Sequence, residues 1–381
     1  MDSLTHLFLG GAIVAAIAPR QQRGAALLAG AVLNSLPDID VLPLELFSND
    51  PVVQMTWHRA ATHSVFVLPI VGWLIWSVFR ARGGRVQQSP LRWFWAIQAA
   101  LLAHPLIDAC TVYGTSLLWP LREPPAMAAG LFIADPLFTL PLVVACALGW
   151  LWRQHRRGTV AVFTGLATSA LYLALAFGAK AQVERAAQQA LELQGLGAAP
   201  RVSVPMPFNI VLWRVVAMTP DGFVEGQRSV VADRGPMRLN RHASDVRSLQ
   251  AVRRFEAARR LTRFNHGFQL ARVRGDRLVL CDLRMGVDPD YIFCFAVARI
   301  ERGRWIEIPP EQLDWAVDGA GPRLRGMWHR MWNAPAAQSS PRRPAAPDVG
   351  VSEPDARDRR ASSRYAAAGS VGDTPAMSAS K

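Results

Sequence analysis

Histidine and aspartate recur in the first 135 residues at spacings that suit metal ligation. His104 and Asp108, in Ala103-His104-Pro105-Leu106-Ile107-Asp108, are four apart and so share one face of a helix. Imidazole and carboxylate placed in this way can hold one ion. The surrounding run is apolar enough to enter a membrane, where unpartnered polar groups are costly. Three more motifs carry the same residue types: Met1-Asp2-Ser3-Leu4-Thr5-His6, Leu36-Pro37-Asp38-Ile39-Asp40 and His58-Arg59-Ala60-Ala61-Thr62-His63-Ser64. Thr111-Val112-Tyr113-Gly114-Thr115 follows the His104 pair. Imidazole with carboxylate is a ligand set for zinc, manganese or iron, and the lack of thiolate favours a catalytic over a structural site.

Each motif also has a plainer explanation. His6 near a helix end can cap or hydrogen-bond a neighbour. Pro-Asp-x-Asp is a common helix-exit and N-cap arrangement, which accounts for one aspartate more readily than for both. His58 and His63, five apart, cannot share a helical face, so one direct ligand is expected. His63 is favoured because Thr62-His63-Ser64 lies where the chain re-enters an apolar run. That leaves His58 and Arg59 for substrate phosphate or for a role outside the ligand shell. Asp135-Pro136 reads as a helix start.

The elements that must position these groups are apolar runs. Residues 64–79, 93–110, 131–152 and 159–179 are candidate spans, preceded by shorter Gly/Ala-rich runs at 4–18 and 24–36. Asp2, the lack of a basic start and His6 argue against a cleaved signal peptide. Arg20 and Arg23, then Arg80, Arg82, Arg85 and Arg92, then Arg153, Arg156 and Arg157 fall in alternate connections. With six spans these loops share one side, cytoplasmic by the positive-inside rule. His6, Asp38, Asp40, His58, His63, Asp108 and Asp135 then converge on the opposite, outward face.

Composition changes after Lys180. Residues 1–180 hold 12 of the 42 basic and 8 of the 29 acidic residues, a net +4 against +9 for the remainder. The excess is arginine, without zinc-finger spacing or an aromatic-interleaved basic motif, so a basic surface near anionic lipid is favoured over nucleic acid. Strands are expected at 212–218 and 223–231 around a Thr-Pro-Asp-Gly turn, at 269–273 and 277–283 around Arg-Gly-Asp, and at 291–300 and 304–308. A basic amphipathic helix is expected at 246–263. Cys110 and Cys146 lie in apolar runs, while Cys281 and Cys294 could pair in an exported domain. From about Asn333 the Ala/Pro/Ser/Arg-rich chain cannot bury a core and is expected to be disordered.

The ordered set of an N-terminal Thr-His, Leu-Pro-Asp-x-Asp, His-Arg-x-x-Thr-His-Ser, His-x-x-x-Asp and Tyr-Gly-Thr before Trp119-Pro120 resembles the bacterial inner-membrane, YdjM-like family of metal-dependent hydrolases, also called LexA-binding. The resemblance covers residues 1–180 and, more loosely, the stretch to 310. That family is in turn similar at a distance to zinc-dependent phospholipase C and P1-type nucleases. The resemblance implies that Asp40, His63, His104 and Asp108 bind one metal, with Asp108 bridging to a second held partly by His6. The later ligands of the phospholipase trinuclear site have no match, so one or two ions are implied.

The sequence therefore predicts a mainly α protein: a polytopic membrane bundle of about six apolar helices (1–180), a small, periplasmic α+β domain (181–310) and a basic, largely disordered tail (311–381). The expected function is a metal-dependent hydrolase of the bacterial inner membrane, zinc most readily or manganese, acting on a lipid or small phosphoester at the outer face. Asp38 or His58 would take the proton, and Arg59, Tyr113 and Thr115 would bind substrate. Membrane lipid is the expected partner, nucleic acid is not, and the sequence does not give the oligomeric state. The alternative is a non-enzymatic assembly or regulatory protein with a structural metal or polar cluster. The family label raises contact with a transcriptional repressor, but an outward-facing domain would not meet a cytoplasmic partner.

Overall fold

The computed structural model describes residues 1–121, 123–314 and 320–335. Of the tail expected to be largely disordered, 311–381, residues 315–319 and 336–381 lie outside the described residues. The chain opens as a helical module: α1 (Ser3–Ile17), α2 (Arg23–Ser35), α3 (Val41–Phe47), α4 (Pro51–Trp57), α5 (Val67–Ala81), α6 (Arg85–Gln88), α7 (Pro90–Ala109), α8 (Pro136–Leu151) and α9 (Arg156–Glu192). Starts are set locally. The Asp2, Asp50 and Asp135 carboxylates accept from the first-turn N–H groups of α1, α4 and α8, and Pro51 and Pro136 open the last two.

The expectation of about six apolar helices is corrected. Among the described residues, two helical stretches are long and apolar enough to cross a membrane, Arg20–Phe47 and Arg156–Glu192. Pro51–His63 with Val67–Ala81, bent by 55°, makes a third if counted as one span. α1 and α8 are apolar but shorter, with 15 and 16 residues, against the roughly 20 needed for a hydrocarbon core. α7 is long enough, but Arg92, Gln98, His104 and Asp108 dilute it.

The arginine-bearing turns do lie together. Arg23 is buried and donates to the carbonyls of Trp152, Arg153 and His155. Gln22 bonds Gln88, and the Trp93 indole donates to Gln22. At mid-helix, α1 crosses α2 with backbones in contact: a Cβ on Gly30 would lie 2.1 Å from the Gly10 carbonyl oxygen. Small residues permit this approach where little hydrophobic gain is available between helices.

α9 continues beyond the apolar module. Its 37 residues span about 55 Å, well over the ~30 Å of a hydrocarbon core. The outer part carries Val183, Ala187 and Ala190 against Trp213 and Val215 of a sheet module. One antiparallel sheet has the order β1-β2-β3-β4, with β1 (Arg201–Pro205), β2 (Leu212–Thr219), β3 (Gly222–Ser229) and β4 (Asn240–Ala243). After α10 (Val246–Ala251) and α11 (Glu256–Phe264) come β5 (Gln269–Arg274), β6 (Arg277–Asp282), the two-stranded ribbon of β7 (Gly286–Val287) and β8 (Asp290–Tyr291), β9 (Cys294–Glu301) and β10 (Arg304–Gln312). The second sheet has the order β10-β9-β6-β5. A Cys281–Cys294 disulfide joins directly opposed residues of β6 and β9.

Two expectations shift here. The helix expected at 246–263 is two short helices, separated at Val252–Phe255. The folded chain also runs past residue 310, because β10 reaches Gln312 and α12 (Ala320–Trp332) follows, anchored by buried Met331. The core itself ignores the sequence boundary between modules. Val52, Met55, Val112 and Ala129 belong to one apolar cluster with Leu261, Leu270, Leu280 and Phe295.

The helix crossing yields a test. Gly30→Ala must separate α1 from α2 and is expected to cost about 1–3 kcal/mol as overpacking. Gly178→Ala, whose Cβ meets nothing within 4 Å, should be neutral. Thermal loss of monodisperse protein in detergent compares the two.

Candidate metal centre

Three elements deliver four polar residues to one place. The end of α7 carries His104 and Asp108, the 3-10 turn Pro37–Asp40 carries Asp38, and the 3-10 turn Ala61–His63 carries His63. Asp38, His63, His104 and Asp108 each offer one atom within 4.8 Å of the others. His63 Nε2 lies 3.0 Å from His104 Nε2 and 3.4 Å from both Asp38 Oδ1 and Asp108 Oδ2. His104 Nε2 lies 3.2 Å from Asp38 Oδ1 and 3.4 Å from Asp108 Oδ2.

Those spacings have a physical meaning. Ligands at ~2.0–2.1 Å around a tetrahedral ion are about 3.3 Å from one another. The outer hydrogen bonds also fix which ring atoms carry lone pairs. His104 Nδ1 faces the Asn34 backbone carbonyl, which can only accept, so that nitrogen carries the proton. Thr62 donates its hydroxyl to Asp40 Oδ2 and so accepts from His63 Nδ1–H at 3.0 Å. Both Nε2 atoms are then lone pairs, turned toward Asp38 Oδ1 and Asp108 Oδ2, which have no hydrogen-bond partner among the described residues. Converging lone pairs repel unless a cation stands among them. The donor set fits a divalent ion such as zinc.

His104 and Asp108 occupy the places expected of them, and so does His63 in preference to His58. The two aspartates exchange places. Asp38 joins the cluster, whereas Asp40 accepts from His58 Nδ1 at 3.0 Å, the Arg59 backbone N–H at 3.1 Å and the Thr62 hydroxyl at 2.9 Å. Asp40 thus orients ligands from outside the four. His6 also stands outside them: its ring stacks on His104 at 3.7 Å, and its Nε2 lies 3.2 Å from Asp108 Oδ1. The α-amino group of Met1 sits against the same oxygen.

Arg59 is 5% exposed, and its Nε lies 3.3 Å from Asp108 Oδ2. Its Nε and Nη1 have no hydrogen-bond partner among the described residues. Its backbone is left-handed, φ 66°, which costs a non-glycine residue about 1–3 kcal/mol. The bond from its N–H to Asp40 and that from the Ser116 N–H to its carbonyl hold it there.

Tyr113, expected to bind substrate, packs against Arg59. Its ring lies under the Arg59 guanidinium at 4.8 Å, and its hydroxyl is spent on the Met55 carbonyl. Burial pushes that phenol up to about 12. Thr115 is fully buried with its backbone paired to Ala126.

Sequence reasoning overlooked Asn34. Its side-chain amide donates to the His6 carbonyl at 2.7 Å while its own carbonyl holds His104. An asparagine inside the apolar run 24–36 was the available signal.

The arrangement separates ligands from supporting residues. Asp38→Asn and His104→Ala should abolish bound metal, whereas Asp40→Asn should keep it with affinity reduced about 10- to 100-fold. Elemental analysis and competition with a chelator, on detergent-purified protein, measure both effects. Loss of metal in Asp40→Asn with retention in Asp38→Asn would restore the order read from the sequence.

No curated protein and no solved structure matches this chain. Residues 1–183 do match the model of the family described as YdjM inner membrane protein, and that segment is similar to this family.

Proposed function

We propose that the protein is a metal-dependent phosphoesterase acting on an amphiphilic substrate at the outer face of the inner membrane. The observation that carries this reading is Arg59: a buried guanidinium with unspent donors, beside a cluster built for a divalent cation. Two cationic groups side by side suit an anion shared between them, and the planar guanidinium matches phosphate oxygens.

Asp38, His63, His104 and Asp108 would hold the ion. When bound, such an ion supplies Lewis-acid polarisation and brings the pKa of water toward neutrality. Arg59 binds and orients the phosphoryl oxygens. His58 donates Nδ1–H to Asp40 Oδ1, which leaves Nε2 free to take or return a proton at the reacting centre. Tyr113 keeps the guanidinium flat and excludes water from beneath it.

Exposure favours an open site over a sealed one. His63, His104 and Asp108 are fully buried, but the Asp38 and His58 side chains keep 25% and 20% of their surface. Beside that opening, α3 exposes Leu42, Leu46 and Phe47, the last at 87%. An apolar flap at the mouth suits a substrate with an acyl or isoprenoid tail. The bundling of Arg20, Arg85, Arg92, Arg153 and Arg156 at the other end of the helices supports an outward-facing site. The Cys281–Cys294 disulfide supports it too, since such bonds persist in oxidising compartments.

A structural metal site is the competing reading, favoured by the number of protein ligands, four being typical of closed zinc sites. Metal-loaded protein in lipid vesicles, incubated with phosphomonoester and phosphodiester lipids and followed by mass spectrometry, separates the two. Turnover should disappear in Asp38→Asn, fall about 10²- to 10⁴-fold in kcat in His58→Ala and show a raised KM in Arg59→Ala. Full metal occupancy without turnover of either class, together with a lowered melting temperature in His104→Ala, would establish the structural site instead.

A further inference from the structure

α12 is tied to the sheet module near both ends, by an Arg323–Asp290 ion pair and by Arg330 and Met331, and leaves a stripe uncovered between them. Met331 is buried, its carbonyl accepts from the Ser229 hydroxyl, and Arg330 pairs with Asp233. Leu324, Trp328 and Trp332, spaced i, i+4, i+8, are 43%, 62% and 50% exposed on one helical face. Arg323, Arg325, His329 and Arg330 accompany them, and no acidic residue occurs in 320–335. Tryptophan and arginine on an amphipathic helix is the composition of a segment lying in a headgroup layer.

The strand register places this stripe at the right height. Lys180 of α9 donates to the carbonyls of Ala128 and Ala129, at the mouth of the helical module, and to that of Ser203. Glu184, further out along α9, holds Arg201. β1 therefore runs from Arg201 back toward the membrane. Pro205 pairs with Trp213, Trp213 with Arg228, and Leu212 with Ser229. The Ser229 end of the sheet is thus its membrane-proximal edge, and the C-terminal turns of α12 meet the sheet there. Phe208, exposed at the same edge, touches Phe132, just before α8. Val231 is exposed beside it.

We propose that α12 lies on the membrane surface at the face that carries the metal cluster, with Leu324, Trp328 and Trp332 in the lipid headgroup region and Arg325 on anionic headgroups. The occupant of the stripe is lipid. The helix tethers the sheet module at a second point, independently of α9. This inference does not depend on the phosphoesterase reading.

The test uses the full chain in vesicles of phosphatidylethanolamine and phosphatidylglycerol, with a bimane label on Trp328→Cys. Leu193→Cys at the far end of α9, 81% exposed, is the comparison. Unsubstituted protein gives the background from Cys110 and Cys146. Nitroxide borne on the lipid headgroup should quench the label at 328 about twofold or more above that at 193, and aqueous iodide should quench it less. Leu324→Cys supplies a second position on the stripe if Trp328→Cys fails to fold. Equal quenching at 328 and 193 would overturn the proposal, and so would a label shielded from both quenchers, since protein rather than lipid would then cover the face.

Discussion

Asp108 is a carboxylate with no access to water, and the architecture around the helix ends is arranged to make that tolerable. A buried unpaired carboxylate would cost several kcal/mol. Its two oxygens face opposite directions, Oδ1 toward the Met1 α-amino group and His6, Oδ2 toward the Arg59 guanidinium. On the second side the supply falls short. Two imidazole lone pairs and a second carboxylate oxygen crowd the same point, and Arg59 is displaced to its edge. Positive charge placed among the four donors turns that mutual repulsion into attraction, which is why the cluster makes physical sense as a cation site.

The helices are held in register by contacts that have little to do with hydrophobic area. Gly10 against Gly30 brings α1 and α2 within backbone distance. Only then can Asn34 bond His6 with its side chain and His104 with its carbonyl. A close approach of two glycines thus sets the tautomer and direction of an imidazole on a third helix. At the other end of the bundle, Arg23 inside a cage of carbonyls from the α8–α9 turn performs the equivalent fastening. One end is fastened through these carbonyls. The other carries the polar cluster on helix ends and 3-10 turns, where backbone direction changes quickly.

That difference governs what the sequence reveals. His104 and Asp108 are legible because the i, i+4 rule applies inside a regular helix, and His63 because it marks re-entry into an apolar run. Asp38 and Asp40 are not distinguishable in the same way. They occupy a 3-10 turn, where each residue advances about 120°, so two residues apart they point to different sides, and only the packing decides which faces inward. Tyr113 was legible as a neighbour of the site but not as a platform, because its role depends on Arg59 adopting a left-handed backbone. α12 is hidden by composition: an arginine-bearing stretch with a single buried residue among those described, Met331, offers no periodic core face to read. The six apolar runs mark real elements, but a run is not a span, since 15 residues of helix cover only about 22 Å.

The family match ends at residue 183, while the physical unit around the cluster does not. Phe264 of α11 lies 5.2 Å from the Tyr113 ring, Tyr113 supports Arg59, and Arg59 reaches Asp108. Three contacts therefore lead from a surface helix of the sheet module to the buried carboxylate. Lys180 ties the same two regions by donating to carbonyls from both, and the apolar cluster that includes Val52, Met55 and Val112 is completed by residues of β5, β6 and β9. The sheet module is then a wall of the site's outer layer rather than an appended domain. The orientation of Arg59, the guanidinium beside the cluster, depends on residues on both sides of the boundary.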